Sequence, residues 1–448
     1  MRILLANPET SRTKYDFAGI IDDEPYELEC LMAYLKQVGI ECMIWDGQIK
    51  KNFREAFNAF KPDAVYFCGR TRQENFIKEY CRYCKSGKRG GSVLTIVGGI
   101  HAQNCPERFH AEYIDFVVTT FDPSAVADIV IGKSPDNIGG IHYKSRKSPE
   151  GEWLATESGP YDISRLPWAD RSQFYENKER YCYLELRPCA IIRTAFCCPY
   201  SCAFCYRNRL NCGKYTTRPI EDVVNEIEAV ECDNIYIIDD DFLVNVSRLE
   251  RFIELLREKN IHKRFVCFGR ADFIVKHREI IPKLADAGFY YILTGLEYIE
   301  NRRLKSTNKK SVVNANGKAI RILHENGIHM MGMFITDLDF TAHDFRNLYR
   351  WIKHFKLKHV AISIYTPEMC LENFQDYKDR MITDNPEEWD YLHLVAKPDK
   401  ISVRKYYMYY HLLLIRLFLR AKRQGIYDFL DYGSFIKSFL KNLFKFGG

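Results

Sequence analysis

Cys198, Cys202 and Cys205 fall within eight residues, Cys-Pro-Tyr-Ser-Cys-Ala-Phe-Cys, directly after the strand candidate Ala190–Thr194. Three thiolates at this spacing on a short loop can hold three irons of a [4Fe–4S] cube and leave the fourth iron open. Zinc also takes soft thiolates, but structural zinc wants four ligands, usually as two separated pairs. A second pair could come here only through Cys197 or Cys212. On spacing alone a buried thiol group and a zinc loop remain as alternatives. Whatever it binds, the loop opens a series of alternating strands and helices, and that series sets the fold class.

The rest of the composition narrows the setting. At 448 residues the chain suits two or three domains, and with 46% hydrophobic and 14% aromatic residues it is no disordered protein. Its 16 cysteines would suggest a disulfide framework in a small secreted protein, but this chain is long and rich in core formers. The opening MRILLANPET has neither the apolar core nor the cleavage site of a signal peptide and reads as a buried strand. The longest apolar stretch, His411 to Arg420, is broken by Arg416 well short of a membrane span. These features predict a cytoplasmic protein with reduced thiols and no membrane partner. Charge is nearly balanced, 65 Lys and Arg against 59 Asp and Glu. The excess sits in residues 401–448, which hold nine Lys/Arg and two Asp.

Two α/β series follow from the periodicity. In the first, strand candidates Arg2–Ala6, Glu41–Trp45, Asp63–Cys68, Ser92–Val97 and Asp115–Thr119 alternate with helical stretches. Five such strands predict a Rossmann-like, doubly wound domain over residues 1–135, with its ligand at the carboxyl ends of the strands. Residues 136–185, punctuated by Gly139-Gly140, Pro149, Pro160 and Pro167, predict a connector with one hairpin. In the second series the strand candidates are Ala190–Thr194, Asn234–Asp239, Phe265–Gly269, Tyr290–Gly295, His329–Ile335 and His359–Ile364. With helical stretches between them, Glu279–Ala287 and Ser311–Asn326 among these, six strand–helix repeats over residues 186–370 predict a partial (β/α)6 barrel, two units short of a full one. Residues 371–448 predict a helical extension with an amphipathic helix around Leu412–Leu417.

The cysteine loop carries the wider resemblance. With Phe204 before the third cysteine it resembles the CxxxCxΦC motif of the radical S-adenosylmethionine (SAM) superfamily. The chain is similar to the branch in which a cobalamin-binding-like domain precedes the radical SAM barrel. Asp162–Arg171 resembles the "dLP-pdR" stretch of that branch, and Arg218–Glu226 its first barrel helix. The resemblance implies metal ligation by Cys198, Cys202 and Cys205 and cofactor contacts from Phe204, Tyr206, Asp239, Asp240, Arg270 and Glu297. Asp239-Asp240-Asp241-Phe242 matches "DDxF", where a carboxylate would accept the SAM amino group. Arg270, in Arg270-Ala-Asp272, would pair with the SAM carboxylate, and Glu297, in Gly295-Leu-Glu297, would bind ribose hydroxyls. The alternative is structural: Asp240 or Asp241 caps a helix, and Arg270 and Glu297 form an ion pair. The implied reaction is reductive cleavage of SAM to a 5′-deoxyadenosyl radical that takes a hydrogen atom from the substrate. The electron would come from a donor such as flavodoxin or ferredoxin.

Departures from the pattern shape the finer expectations. The first domain lacks the Asp-x-His-x-x-Gly motif whose His ligates cobalt, although Gly98-Gly99-Ile-His101-Ala102 resembles the branch's "GGxHa" loop. The missing His sets the expectation against bound cobalamin. The loops Thr336–Thr341 and Tyr365–Cys370 replace the branch's usual sequences and read as a divergent substrate. On this basis the expected activity is of the queuosine lyase type: a small-molecule substrate, a queuosine nucleoside or its phosphate, cleaved to release queuine. The rival enzyme reading is a cobalamin-dependent radical SAM C-methyltransferase. The rival from another class is an Fe–S or cobalamin sensor whose basic tail contacts nucleic acid, for which no recognition helix is evident. Cys81-x-x-Cys84 falls within a helix pattern and reads as two partly buried helix thiols, and the lone His393 as structural.

Overall fold

Ile3, Leu4, Leu5 and Ala6 are completely buried on both faces, as a central parallel strand covered by helices must be. This strand, β1 (Arg2–Asn7), organises the first domain of the structure, a computed structural model that describes residues 1–10, 20–86, 92–145, 151–309 and 312–429. The further strands are β2 (Glu41–Asp46), β3 (Ala64–Cys68), β4 (Leu94–Gly98), β5 (Phe116–Val118), β6 (Ile141–Lys144) and β7 (Trp153–Ala155). Their spatial order is β2-β1-β3-β4-β5-β6-β7. The first five are parallel; the last two are antiparallel, Phe116 pairing with Tyr143 and Tyr143 with Leu154. The hairpin expected in the connector therefore extends the first sheet. The strand order reverses between β1 and β3, and such a switch point opens a crevice at the carboxyl ends.

The second sheet contains β8 (Ala190–Ile192), β9 (Asn234–Ile237), β10 (Arg264–Phe268), β11 (Phe289–Glu297), β12 (His329–Thr336) and β13 (His359–Ile364). All are parallel and follow in chain order, with β8 and β13 at the two edges. This is the expected partial (β/α)6 barrel. Helices Ile220–Ala229, Val246–Glu258, Val313–Glu325 and Ala342–His354 cover its outside with Val223, Leu249, Leu323 and Leu348 buried inward. The helix expected over Glu279–Ala287 is reduced to a 3-10 turn and Ile281–Asp286, because Pro282 fits only a first turn. The start of the helix expected at Ser311 lies outside the described residues, which begin again just before Val313. Helix Val403–Arg423 packs along the β13 edge, where Tyr406 and Tyr410 donate hydroxyl hydrogen bonds to the Thr336 and Ile362 carbonyls, both at 2.9 Å.

Buried charge joins the halves. Arg171, from the connector, donates to Glu24 of the first domain (2.7 Å), to the Ile191 carbonyl on β8 (2.7 Å) and to Glu226 of the first barrel helix (3.1 Å). Arg218 donates to the other oxygen of Glu226 (2.5 Å) and to Asp222 (2.6 Å). Both guanidiniums are almost wholly buried, so each needs these partners. The connector motif and the first barrel helix are thus two halves of one ionic lock.

Candidate active site

The cysteine loop leaves β8 and is pinned at its base. Ala195 and Phe196 pair antiparallel with Thr217 and Thr216. Further along, the Ala203 amide donates to the Thr307 carbonyl (3.0 Å) and the Asn308 side chain donates to the Ser201 carbonyl (2.8 Å). The loop is therefore held on both sides, with Cys198, Cys202 and Cys205 half-buried at the strand ends. Burial pushes the thiols of Cys198 and Cys205 up to about 12, and Cys198–Cys205 and Cys205–Cys202 repulsion adds to it. Among the described residues no three His, Cys, Asp or Glu converge on a single metal-ion position. A cube places each thiolate on a different iron, which needs a wider triangle than one ion does. Three soft donors on one anchored loop fit that group.

The two neighbouring thiols point elsewhere. Cys197, at φ +67, is buried and turns its Sγ to the Cys198 carbonyl (3.7 Å). Cys212 is exposed and donates to the Ser158 carbonyl (3.5 Å). Neither completes a four-thiol set. Cys81 and Cys84 are fully buried within helix Glu74–Ser86, and His393 is buried against Asp390 (2.8 Å).

At the rim the acidic triplet after β9 divides its roles. Asp239 accepts from the amides of Thr194 (2.6 Å) and Ala195 (3.0 Å) and from the Thr194 hydroxyl. Its carboxylate is spent on tethering the start of the cysteine loop, so the residue serves the cluster through position. Asp240 pairs with Arg207 at 3.1 Å, and that guanidinium also lies 5.1 Å from the Tyr206 ring. Phe204 is half-buried on the same loop. Asp241 was missing from the expected contacts, yet it is the member with spare capacity. One oxygen accepts from the Leu243 amide (3.0 Å); the other is buried without a partner. Burial pushes this carboxyl up to about 8 against the pull of Arg270 and Lys309. No sequence rule separates three adjacent aspartates by which one lacks a donor.

Arg270 is held bidentately by Asp272 (2.9 and 3.0 Å) and stacks over Tyr200, 4.1 Å from its ring centre. Glu297 pairs with Lys309 at 2.7 Å and has φ +57. A Cβ at Gly295 would fall 2.2 Å from the Glu297 carboxylate and 2.7 Å from the Lys309 ammonium, so that glycine is the space into which the ion pair folds. Asp241, Arg270, Glu297 and Lys309 set alternating charges around the strand ends.

A cavity of about 400 Å³ opens between the first domain and the start of the cysteine loop. Gly69 and Gly99 line it from the carboxyl ends of β3 and β4, and Phe196, Cys197 and Leu210 line it from the cysteine loop. Tyr66, Cys68 and Arg70 line it beside these glycines, and close packing requires glycine at Gly98 and Gly99. A Cβ on Gly98 would lie 2.1 Å from the Tyr66 hydroxyl; one on Gly99, at φ +88, would lie 2.8 Å from the Gly69 nitrogen. His101 braces this loop from behind: Nε2 meets Glu74 at 2.7 Å and Nδ1 meets the Thr71 hydroxyl at 3.3 Å. Arg108 grips the same Glu74 (2.5 and 2.9 Å), and these bonds hold its carboxyl down to about 2 despite burial. The bare backbone of Gly69 and Gly99 at the carboxyl ends of β3 and β4 fits the close approach of a large cofactor such as a corrin.

Comparison with known proteins gives the class. Residues 192–352 match the radical SAM superfamily and residues 22–130 the B12 binding domain. The chain thus couples a B12-binding domain to a radical SAM domain. Among particular proteins, it is 24% identical to the anaerobic magnesium-protoporphyrin IX monomethyl ester cyclase of Rubrivivax gelatinosus, over 90% of this chain and 74% of that one. It is 21% identical to the hopanoid C-3 methylase of Methylococcus capsulatus, over 86% and 74%. In fold it resembles the cobalamin-dependent radical enzyme OxsB with aqua-cobalamin and SAM bound, at TM-score 0.66 and 18% identity. That match covers 84% of this chain and 55% of OxsB, so the chain spans about half of that protein. The radical SAM methyltransferase TsrM of Kitasatospora setae gives TM-score 0.63 over 82% of this chain and 74% of that one.

Two expectations are corrected. The matched relatives are cyclases and methylases, which leaves the queuosine lyase reading, its queuosine substrate and queuine release without support. The expectation against cobalamin gave too much weight to one absent His; the B12-binding match and the glycine cradle both point the other way. No described helix is long and apolar enough to cross a membrane.

Proposed function

We propose that the protein is a cobalamin-dependent radical SAM methyltransferase acting on a small organic substrate. The observation that carries this reading is the shared cavity: the glycine cradle of the first domain and the cysteine loop of the barrel line one space. When bound, the cluster and SAM supply a 5′-deoxyadenosyl radical, and the corrin supplies a methyl carrier. The chain's own residues position and enclose. Cys198, Cys202 and Cys205 hold the cluster, and Asp239 fixes the strand end from which they project. Asp241 would offer its unpartnered oxygen to the SAM ammonium and release to solvent the proton that burial lets it hold. Arg270, already aligned by Asp272 and Tyr200, would pair with the SAM carboxylate, and Glu297 would bind the ribose hydroxyls. Phe204 and Tyr206 bound the site from the loop. The reducing electron comes from an external one-electron donor of the flavodoxin or ferredoxin kind.

The test is anaerobic turnover by protein reconstituted with iron, sulfide and cobalamin, using SAM labelled in its methyl group. Two SAM should be consumed per labelled product, one ending as 5′-deoxyadenosine and one as S-adenosylhomocysteine. Label absent from every product, with 5′-deoxyadenosine still formed, would instead favour a cyclase-type radical reaction. A protein that binds both cofactors yet never cleaves SAM would be a sensor.

A further inference from the structure

Helix Val403–Arg423 is apolar on two opposite faces. The inner face buries Tyr406, Tyr410, Leu413 and Ala421 against the barrel edge. The outer face carries Met408, Leu412, Ile415 and Leu419, exposed by 53%, 41%, 38% and 47%. Their spacing of four, three and four residues places them on one stripe. A helix with apolar residues all round calls for cover on both sides, and among the described residues this stripe has cover on one.

Charge decides what can cover it. The 21 residues of the helix include six Lys/Arg and no Asp or Glu. Lys405, Arg416, Lys422 and Arg423 are exposed around and beyond the stripe. The adjacent helix Ala342–His354 adds exposed Arg346, Arg350 and Lys353 on one face. The sequence beyond the described residues continues in kind, with Lys437, Lys441 and Lys445 between Phe and Leu. A second copy of this chain would set like charge against like. The chain's own tail, with its three lysines, would do the same. A surface that is apolar within and negative at its edge satisfies both features at once.

We propose that this face docks on an anionic lipid bilayer, with Met408, Leu412, Ile415 and Leu419 entering the interface and the surrounding cations on the headgroups. Long Lys and Arg side chains can keep their charges at headgroup level while their stems lie on apolar surface. Moderate apolar area together with several cations is the combination that gives reversible, charge-dependent membrane binding. The expectation of no membrane partner rested on the absence of a spanning segment; docking on the surface requires none. The proposal is independent of the reaction assigned above.

The full chain is tested by sedimentation with vesicles of phosphatidylcholine and of phosphatidylcholine mixed with phosphatidylglycerol. Binding should be at least about tenfold stronger to the mixed vesicles and should weaken steeply with salt. A Leu412→Ser/Leu419→Ser variant should bind about tenfold more weakly. Its iron content and melting temperature should stay those of the parent, since both side chains face outward. Arg416→Gln/Arg423→Gln should reduce the preference for the anionic vesicles about tenfold. Equal binding to the two vesicle types, no binding to either, or unchanged binding by the leucine variant would overturn the proposal. So would a dimer in solution that the leucine variant dissociates, because the stripe would then be a contact between copies.

Discussion

The glycine-bearing strand ends of the first domain and the charged rim of the barrel are built on opposite principles. On the first domain's side Gly69, Gly98 and Gly99 clear the backbone of side chains. At the barrel rim Asp241, Arg270, Glu297 and Lys309 set charges of both signs near one another. A large flat ligand is admitted by removing matter, and a small zwitterionic one by arranging charge. One side should therefore fail by filling and the other by neutralising.

The sharpest break comes from Cys202→Ala. It should abolish SAM cleavage and lower iron content while leaving corrin uptake near that of the parent, as read by the visible spectrum. Equal loss of both cofactors would mean that the two sides are not separable. Filling the cradle is the mirror experiment. Gly98→Val puts a side chain where Tyr66 already stands and should weaken corrin binding about tenfold or more, with iron content kept. Asp241→Asn neutralises without filling. It should raise KM for SAM about tenfold, the worth of one charge-assisted hydrogen bond, without changing iron content. An unchanged KM would assign the carboxyl to packing alone.

The smallest effect on turnover should come from Asp46→Asn, which lies on the first domain's side. Asp46 is buried and accepts from Asn7 (2.9 Å), the Gln48 amide (3.0 Å) and Tyr181 (3.0 Å), yet burial still raises its carboxyl to about 6. The folded group therefore keeps its proton between about pH 4 and pH 6, where the unfolded group has lost it. Stability from this group falls as pH rises through that window, by about 3 kcal/mol in all. The asparagine variant should lack that slope, so the difference between parent and variant in denaturant midpoint should change across the window. A parallel pair of curves would show that Asp46 titrates normally.

How much of this was legible in the sequence depended on whether the signal was periodic or pairwise. The strands of both sheets stand within a residue or two of their apolar runs, because burial on both faces demands unbroken Ile, Val and Phe. The cysteine loop was legible because three ligands must sit close in sequence when one loop carries them. Asp239 and Asp241 were not distinguishable. Their difference is that the Thr194 and Ala195 amides reach one carboxylate and not the other, a contact across 45 residues. Arg171 was visible as a motif residue but not as a lock, since Glu24 and Glu226 lie far from it in sequence. The weight placed on a missing cobalt-ligating His erred for a related reason. A single side chain is easy to score, whereas a cradle made of absent side chains shows only when the glycines are seen side by side.

The Arg171 lock also limits how a chain of this kind can be inherited. A barrel cut free at the connector would keep Glu226 and Arg218 but lose Arg171, leaving a carboxylate oxygen buried without its cation. Losing one partner of such a buried pair costs about 3–5 kcal/mol, a large share of a domain's whole stability. A first domain cut free would strand Glu24 in the same way. Recombination that swaps either half for a foreign one would have to bring the matching charge with it.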